Sequence, residues 1–294
     1  MALISILISL FAERFLGSLE AQRRFGWFTA LSDWWQARLA GVRRWRGQLV
    51  VLAAVILPLL LTAVVYGLLH ELWSPFGFLF ALLVLLYSLG PRDLEAEVEA
   101  FLEARERGDE TAACWQAANL LEKSAPEDSR ELTDEMVQTM LVAASERLFA
   151  VLFWFIFLGP VGALLYRLSW VLARWGAGQE EAVATAAERL HAILAWLPAR
   201  IAALAYALSG NFVDGMHGWR HEAERWSDGD RGVLLATGLG ALGYPMGEAA
   251  ETETEAVDLA EESRWVRDAL SLVRRAVVLW LVVLAVATLS GWAG

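Results

Sequence analysis

The chain has one cysteine, Cys114, and one lysine, Lys123, in 294 residues. A single thiol excludes an intramolecular disulfide and every CxxC metal or redox motif. A Walker-type phosphate loop, a GxGxxG turn and an HExxH helix are all missing from the sequence, and with them go the local signatures of P-loop, dinucleotide-binding and zinc-protease chemistry. Ser/His/Asp and Cys/His catalysis have no local signature either. Cys114 lies in an alanine-rich stretch with no histidine beside it, as buried filler does. Basic residues are few, 24 against 35 acidic, for a net charge of −11. Such a chain lacks the basic face that nucleic-acid binding requires. No solenoid-length repeat is visible.

Apolar residues are abundant. They make up 57% of the chain, with 15 Trp and a mean hydropathy of +0.44, where ordinary globular domains run about 45–50%. Five stretches, at residues 49–69, 72–91, 148–166, 192–210 and 276–294, carry little or no charge and approach the roughly 20 residues that cross a hydrocarbon core. A soluble enzyme is thereby excluded. Residues 2–12 form a shorter apolar run with no basic region before it, which reads as a membrane-inserted helix rather than a cleaved signal. The expected fold is all-α: one polytopic membrane domain over residues 1–294, with about five transmembrane helices, that short N-terminal helix, and amphipathic cytoplasmic helices.

The charges are segregated. Residues 92–147 hold 15 acids against 6 bases, and residues 211–275 hold 13 against 7. Seven arginines lie between residues 13 and 47, interleaved with Trp27, Trp34, Trp35 and Trp45. A basic, Trp-bearing segment suits an anionic membrane surface, and the positive-inside rule puts it in the cytoplasm. Counting spans then makes both acidic segments cytoplasmic. Arg264, Arg267, Arg274 and Arg275 before the last span, with no charge after it, place the C-terminus in the periplasm, so a multi-pass inner-membrane protein is expected. In the first acidic segment Leu94, Val98, Phe101 and Leu102 recur at helical spacing, and Thr133-Asp134-Glu135 reads as the start of a further helix. Pro58, Gly159-Pro160 and Pro198 should bend or break their spans, and residues 167–191 read as a polar connection.

Arg200 is the charge within a span, where a cation costs about 2.5–3.5 kcal/mol on insertion scales. It reads either as an anion or phosphate contact between helices, or as a buried pair with Glu13, Glu146 or another carboxylate. Asp214, His217, His221 and Glu224 share one helical face, and His at i and i+4 is ligand spacing. Gly215 and Gly218 weaken a helix there, so a solvated histidine pair and no metal are expected. The acidic stretch 93–110 offers carboxylates of the kind that hold Mg-nucleotide, or else a solvated face. His70 and His191 read as interface residues.

Three segments resemble the AmpE family, inner-membrane proteins associated with the AmpD amidase and β-lactamase induction: LISILISLFAERF (3–15), SERLFAVLFWFIFLGPVGALLYRL (145–168) and LAWLPARIAALAYALSGNF (194–212). The latter two also resemble the CbiB/CobD membrane synthase of cobalamin assembly, in which an aminopropanol moiety is joined to a corrinoid through an amide bond with ATP consumed. Its A-E-N patch is matched by Ser145-Glu146-Arg147, its G-P-x-G-A by Gly159 to Ala163, and its W-I-P-A-R-L by Trp196 to Ile201. Its early acidic and G-D-P motif has no counterpart beside Glu13-Arg14, and its N-T-L-D-S stretch is replaced by Arg167 to Ala173. With those polar groups gone, the first resemblance implies a non-catalytic regulatory or sensor protein linked to peptidoglycan recycling and β-lactam response. It implies no cofactor, and a recycling ligand or partner protein beside the lipid bilayer. Glu146, Arg200, Glu13 and Asp214 would then line a ligand cavity. The alternative is an active ATP-dependent membrane amide synthase of the CbiB/CobD type, which alone calls for Mg-ATP. A transport pathway is a third reading, and five spans would need a homodimer to line one.

Overall fold

In a hydrocarbon layer every backbone N–H and C=O must find a partner without water, and a helix satisfies them within its own segment. The computed structural model of the chain describes residues 25–41, 45–89, 94–226, 229–245 and 259–289, and among them there are helices and turns but no strand. In order these are α1 (Gly26–Arg38), α2 (Arg46–Leu72), α3 (Ser74–Ser88), α4 (Leu94–Glu106), α5 (Glu110–Leu121), α6 (Ser129–Ala144), a π-turn (Ser145–Phe149), α7 (Ala150–Gly176), α8 (Glu181–Ser209), α9 (Phe212–His221), a 3₁₀ turn (Ala223–Arg225), α10 (Gly229–Leu242) and α11 (Leu259–Leu289). The polytopic helical bundle expected from the apolar runs is the fold observed. The membrane helix expected at residues 2–12, and Glu13 after it, lie outside the described residues.

Among the described residues, four helical runs are long and apolar enough to cross a bilayer: α2, the run Ser129–Gly176 that ends in α7, α8, and Ala260–Val286 within α11. The remaining expected span, 72–91, is the 15-residue α3, which rises only about 22 Å at 1.5 Å per residue. The supposed polar connection 167–191 is helical except for the turn at residues 177–180. Leu168, Val171 and Leu172 continue the buried face of α7 past the last residue of the apolar stretch.

Of the three proline sites, only one breaks its helix. α2 runs unbroken through Pro58, with the Thr62 hydroxyl donating to the Pro58 carbonyl at 2.9 Å, and α8 runs unbroken through Pro198. α7 is two helices joined at Gly159, whose φ of 63° and ψ of −149° fall in a region that is nearly glycine-only. The chain turns so sharply there that a Cβ on Gly162 would overlap the carbonyl oxygen of Trp154. Gly159→Ala is expected to cost about 1–3 kcal/mol for the strained backbone alone, read as a lower unfolding midpoint in detergent.

The chain divides into two compact units. The first holds α1–α3, α7 and α8 up to Pro198. Its core comprises Phe28, Val51, Ala54, Val55, Leu168 and Leu172, with Ala187 of α8. Trp27 Nε1 donates to Tyr87 at 2.8 Å, Trp175 Nε1 to Asp33 at 3.0 Å, and Trp154 Nε1 to the Leu194 carbonyl at 3.0 Å. Leu52, Ile56, Leu60, Leu61, Val64 and Leu68 of α2 are exposed. An apolar surface of that extent is what a spanning helix presents to lipid, and the protein is a membrane protein seated in a bilayer.

The second unit holds α4–α6, the π-turn, α8 from Ala199, α9, α10 and most of α11. Leu94, Val98, Phe101 and Leu102 are all buried in its core, as their spacing predicts. Asp109 caps α5, and Asp128 caps α6 by accepting from the Glu131 N–H at 2.8 Å. The sixth helix therefore starts at Ser129, ahead of the expected Thr133. At its centre lies α10, buried at every position from Gly232 to Ala241. α9 packs antiparallel along it through glycines: a Cβ on Gly218 would overlap the Ala236 carbonyl oxygen, and one on Gly240 would stand 2.5 Å from that of Asp214.

Candidate functional site

Arg200 sits on α8 two residues past Pro198, and its Nη1 donates to Asp230 Oδ1 at 2.5 Å. Asp230 is in the first turn of α10. The partner is thus a carboxylate 30 residues further along the chain. Arg200 remains 26% exposed and Asp230 18%, so an approaching anion meets a guanidinium already oriented by its carboxylate.

Glu146 belongs to the π-turn between α6 and α7. Such turns insert an extra residue at some cost to helix geometry and are frequent at functional sites. The next residue, Arg147, is paired with Glu97 of α4 at 3.1 Å, both side chains nearly buried. Phe149 closes the turn edge-on to Tyr206 of α8, ring centroids 5.9 Å apart, and the Tyr206 hydroxyl donates to the Leu141 carbonyl at 2.8 Å. Arg200 lies six residues before Tyr206, about 9 Å along the helix axis. Tyr206 thus ties α8, six residues past Arg200, to the π-turn that holds Glu146 and to the end of α6.

Asp214 is elsewhere. It accepts from the side-chain amide of Asn211, the cap of α9, at 2.5 Å. Its carbonyl lies over Gly240, ten residues beyond Asp230 on α10, or about 15 Å along the axis. The structure therefore does not gather Arg200 and Asp214 into one site. The His217 and His221 rings lie against one another, tilted by 40° with centroids 4.6 Å apart. Among the described residues no group of three or more His, Cys, Asp or Glu is placed to hold a metal ion.

The acidic helix α4 presents a solvated face, with the side chains of Glu99, Glu103 and Glu106 at 53%, 68% and 59% exposed, and much of it is also paired. Arg274 of α11 bonds Glu95 and Glu99 at 2.6 and 2.5 Å, Arg267 bonds Glu106 at 2.9 Å, and Arg105 bonds Glu262 at 2.7 Å. Glu95, Glu99 and Glu106 are thus held by arginines of α11, which runs antiparallel to α4, while Glu97 pairs with Arg147 and Glu103 with Arg107.

Three features escaped the sequence reading. Arg167 is only 1% exposed, far more deeply buried than Arg200. Its guanidinium lies 4.3 Å from the Trp170 ring centroid and 5.6 Å from that of Phe25, contacts worth about 2 kcal/mol when desolvated. Its sequence signal was its place immediately after the 148–166 stretch. Cys114 is exposed rather than buried filler, because the buried stripe of α5 is Ala113, Ala117 and Leu120. Tyr244 donates to Asp134, and burial, then the Asp134 hydrogen bond and charge, raise its pKa while Arg130 opposes. The folded state holds this proton above the usual tyrosine range, so the stability it confers is present below about pH 10 and is lost as pH rises beyond it. Tyr244→Phe should flatten that alkaline limb in pH-dependent unfolding.

A family model described as CobD/Cbib protein matches residues 6–277. The chain belongs to the CobD/CbiB family. It is 31% identical over 303 residues to the cobalamin biosynthesis protein CobD of Stutzerimonas stutzeri, covering 98% of each chain. It is 36% identical over 171 residues to the CobD of Chromobacterium violaceum, covering 56% of this chain and 55% of that one. No solved structure matches. These matches overturn the AmpE assignment, and with it the regulatory role in peptidoglycan recycling and β-lactamase induction: nothing found points to AmpE. Two short replaced motifs leave the family intact, because similarity to the CobD/CbiB family runs through nearly the whole chain.

Proposed function

We propose that this member of the CobD/CbiB family acts in cobalamin biosynthesis as a membrane amide synthase, joining an amine of the aminopropanol type to a corrinoid carboxyl with ATP as co-substrate. The observation that carries the reading is the end-to-end match to a cobalamin biosynthesis protein, covering 98% of both chains. Arg200, held by Asp230, would take an anionic group of the substrate, carboxylate or phosphate. Magnesium arriving with the nucleotide would keep phosphate and water ligands. The chain's departures at Glu13-Arg14 and at Arg167 to Ala173 mean that no catalytic group is carried over at those positions.

The test is complementation of a cobalamin auxotroph lacking its own synthase, together with amide formation from corrinoid acid, aminopropanol and ATP in membranes. Growth and product support the reading. Folded protein that yields neither overturns it. Arg200→Ala should lower product formation by about 100-fold or more, as loss of an oriented charge contact does. The swapped pair Arg200→Asp with Asp230→Arg should recover folded yield without recovering activity. If activity returns as well, Arg200 is structural.

The arginines at 13–47 support an inner-membrane topology with residues 92–147 and 211–275 in the cytoplasm. Cys114, exposed and the chain's single cysteine, reports on it directly. A membrane-impermeant thiol reagent should leave the protein unlabelled in intact spheroplasts and label it after lysis. Labelling before lysis reverses the orientation.

A further inference from the structure

A cavity of about 550 Å³ lies within the first unit, between α1, α2, α3 and the second half of α7. It shares no residue with the Arg200–Asp230 pair, which belongs to the second unit. No charged side chain lines it. The few polar groups that do are already engaged. The Trp27 indole donates to the Tyr87 hydroxyl at 2.8 Å, and the Thr62 hydroxyl donates to the Pro58 carbonyl at 2.9 Å. Pro58, Thr62 and Leu164, all buried, form the floor.

The rim says what the cavity opens to. Leu57, Leu61 and Leu83 line it and are 51%, 64% and 56% exposed, so its edge is part of the lipid-facing surface that Leu60, Val64 and Leu68 continue along α2. The opening is to hydrocarbon. Water gains nothing inside, because a bound water needs two or more polar partners and an apolar cavity stays dry. Left empty, the lining forfeits its dispersion contacts on that side. An ion or a nucleotide entering would be buried without a partner for its charge. The volume falls within the roughly 300–1,000 Å³ of small-molecule sites.

We propose that this cavity binds an acyl chain of a membrane phospholipid, which enters between Leu57, Leu61 and Leu83 and packs against Leu164. The site reads the chain and not the headgroup, since its lining carries no charge. The bound chain is a resident part of the first unit's packing, filling the gap that side chains of α1, α2, α3 and α7 leave between them.

The test uses the full chain in detergent, washed until bulk lipid is gone. Native mass spectrometry should show one phospholipid retained per chain, and stripping it with harsher washing should lower the unfolding midpoint by several degrees. Dioleoyl-phosphatidylcholine should restore the midpoint saturably. Dihexanoyl-phosphatidylcholine, with the same headgroup and chains too short to fill the cavity, should not. Val84→Phe and Leu31→Trp fill the space from α3 and α1 and should abolish both the retained lipid and the response to added lipid. Val64→Trp, on the lipid-facing surface of α2 but outside the cavity, should behave as wild type. The proposal is overturned by a wild-type chain that neither retains nor responds to phospholipid, by restoration with the dihexanoyl compound, by lipid retained in a folded filling variant, or by its loss from folded Val64→Trp.

Discussion

Glu262→Ala is expected to destabilise the protein by about 3–5 kcal/mol, because it leaves the Arg105 guanidinium charged and buried without its carboxylate. The two side chains are 10% and 6% exposed, and Ser129 and Thr133 offer only dipoles in compensation. Removing both charges should be far milder. Arg105→Met with Glu262→Met is expected to fall close to wild type, since well-packed apolar residues often replace a buried pair without loss. The neighbouring pair Arg267–Glu106, half exposed on both sides, sets the scale for a surface bridge: Glu106→Gln should change stability by under about 1 kcal/mol. Tryptophan-monitored unfolding in detergent would separate the three. A Glu262→Ala cost as small as that of Glu106→Gln would mean that water reaches the pair.

Periodicity made the outline of this fold legible. The stripe Leu94, Val98, Phe101 and Leu102 is a complete instruction, because helical spacing and burial are one geometric fact. The long apolar runs announce lipid for a similar reason: length and composition alone decide whether a segment can cross. Helix breaks are harder to read. Pro58 and Pro198 lie within unbroken helices, where the lost N–H is tolerated, whereas Gly159 adopts a backbone that only glycine reaches easily. α10 was hidden because its uncharged run is too short for a span and its glycines resemble a loop. Its burial follows from partners far away in sequence, as does the pairing of Arg200 with Asp230. The site was legible only as motifs, in Ser145-Glu146-Arg147 and Trp196 to Ile201. Which family those motifs belong to needed similarity along the whole chain, since short shared segments fit two families alike.

Gly218→Val is expected to cost about 3 kcal/mol or more, at the upper end of what overpacking a tight interior does. The clash is with backbone rather than a movable side chain, since a Cβ at this position would overlap the carbonyl oxygen of Ala236. α9 and α10 can relieve it only by moving apart, which loosens the contact at Gly240 with Asp214 as well. Small residues are the means by which helices approach this closely, in membranes especially. The effect should extend to function, because α10 also carries Asp230 to Arg200. The companion variant is Gly229→Ala in the first turn of the same helix, where an added Cβ meets nothing within 4 Å. That change should be neutral or stabilise by up to about 1 kcal/mol through the unfolded chain. If Gly218→Val unfolds with the midpoint of Gly229→Ala, the two helices are not in backbone contact, and the close packing described for the centre of the second unit is wrong.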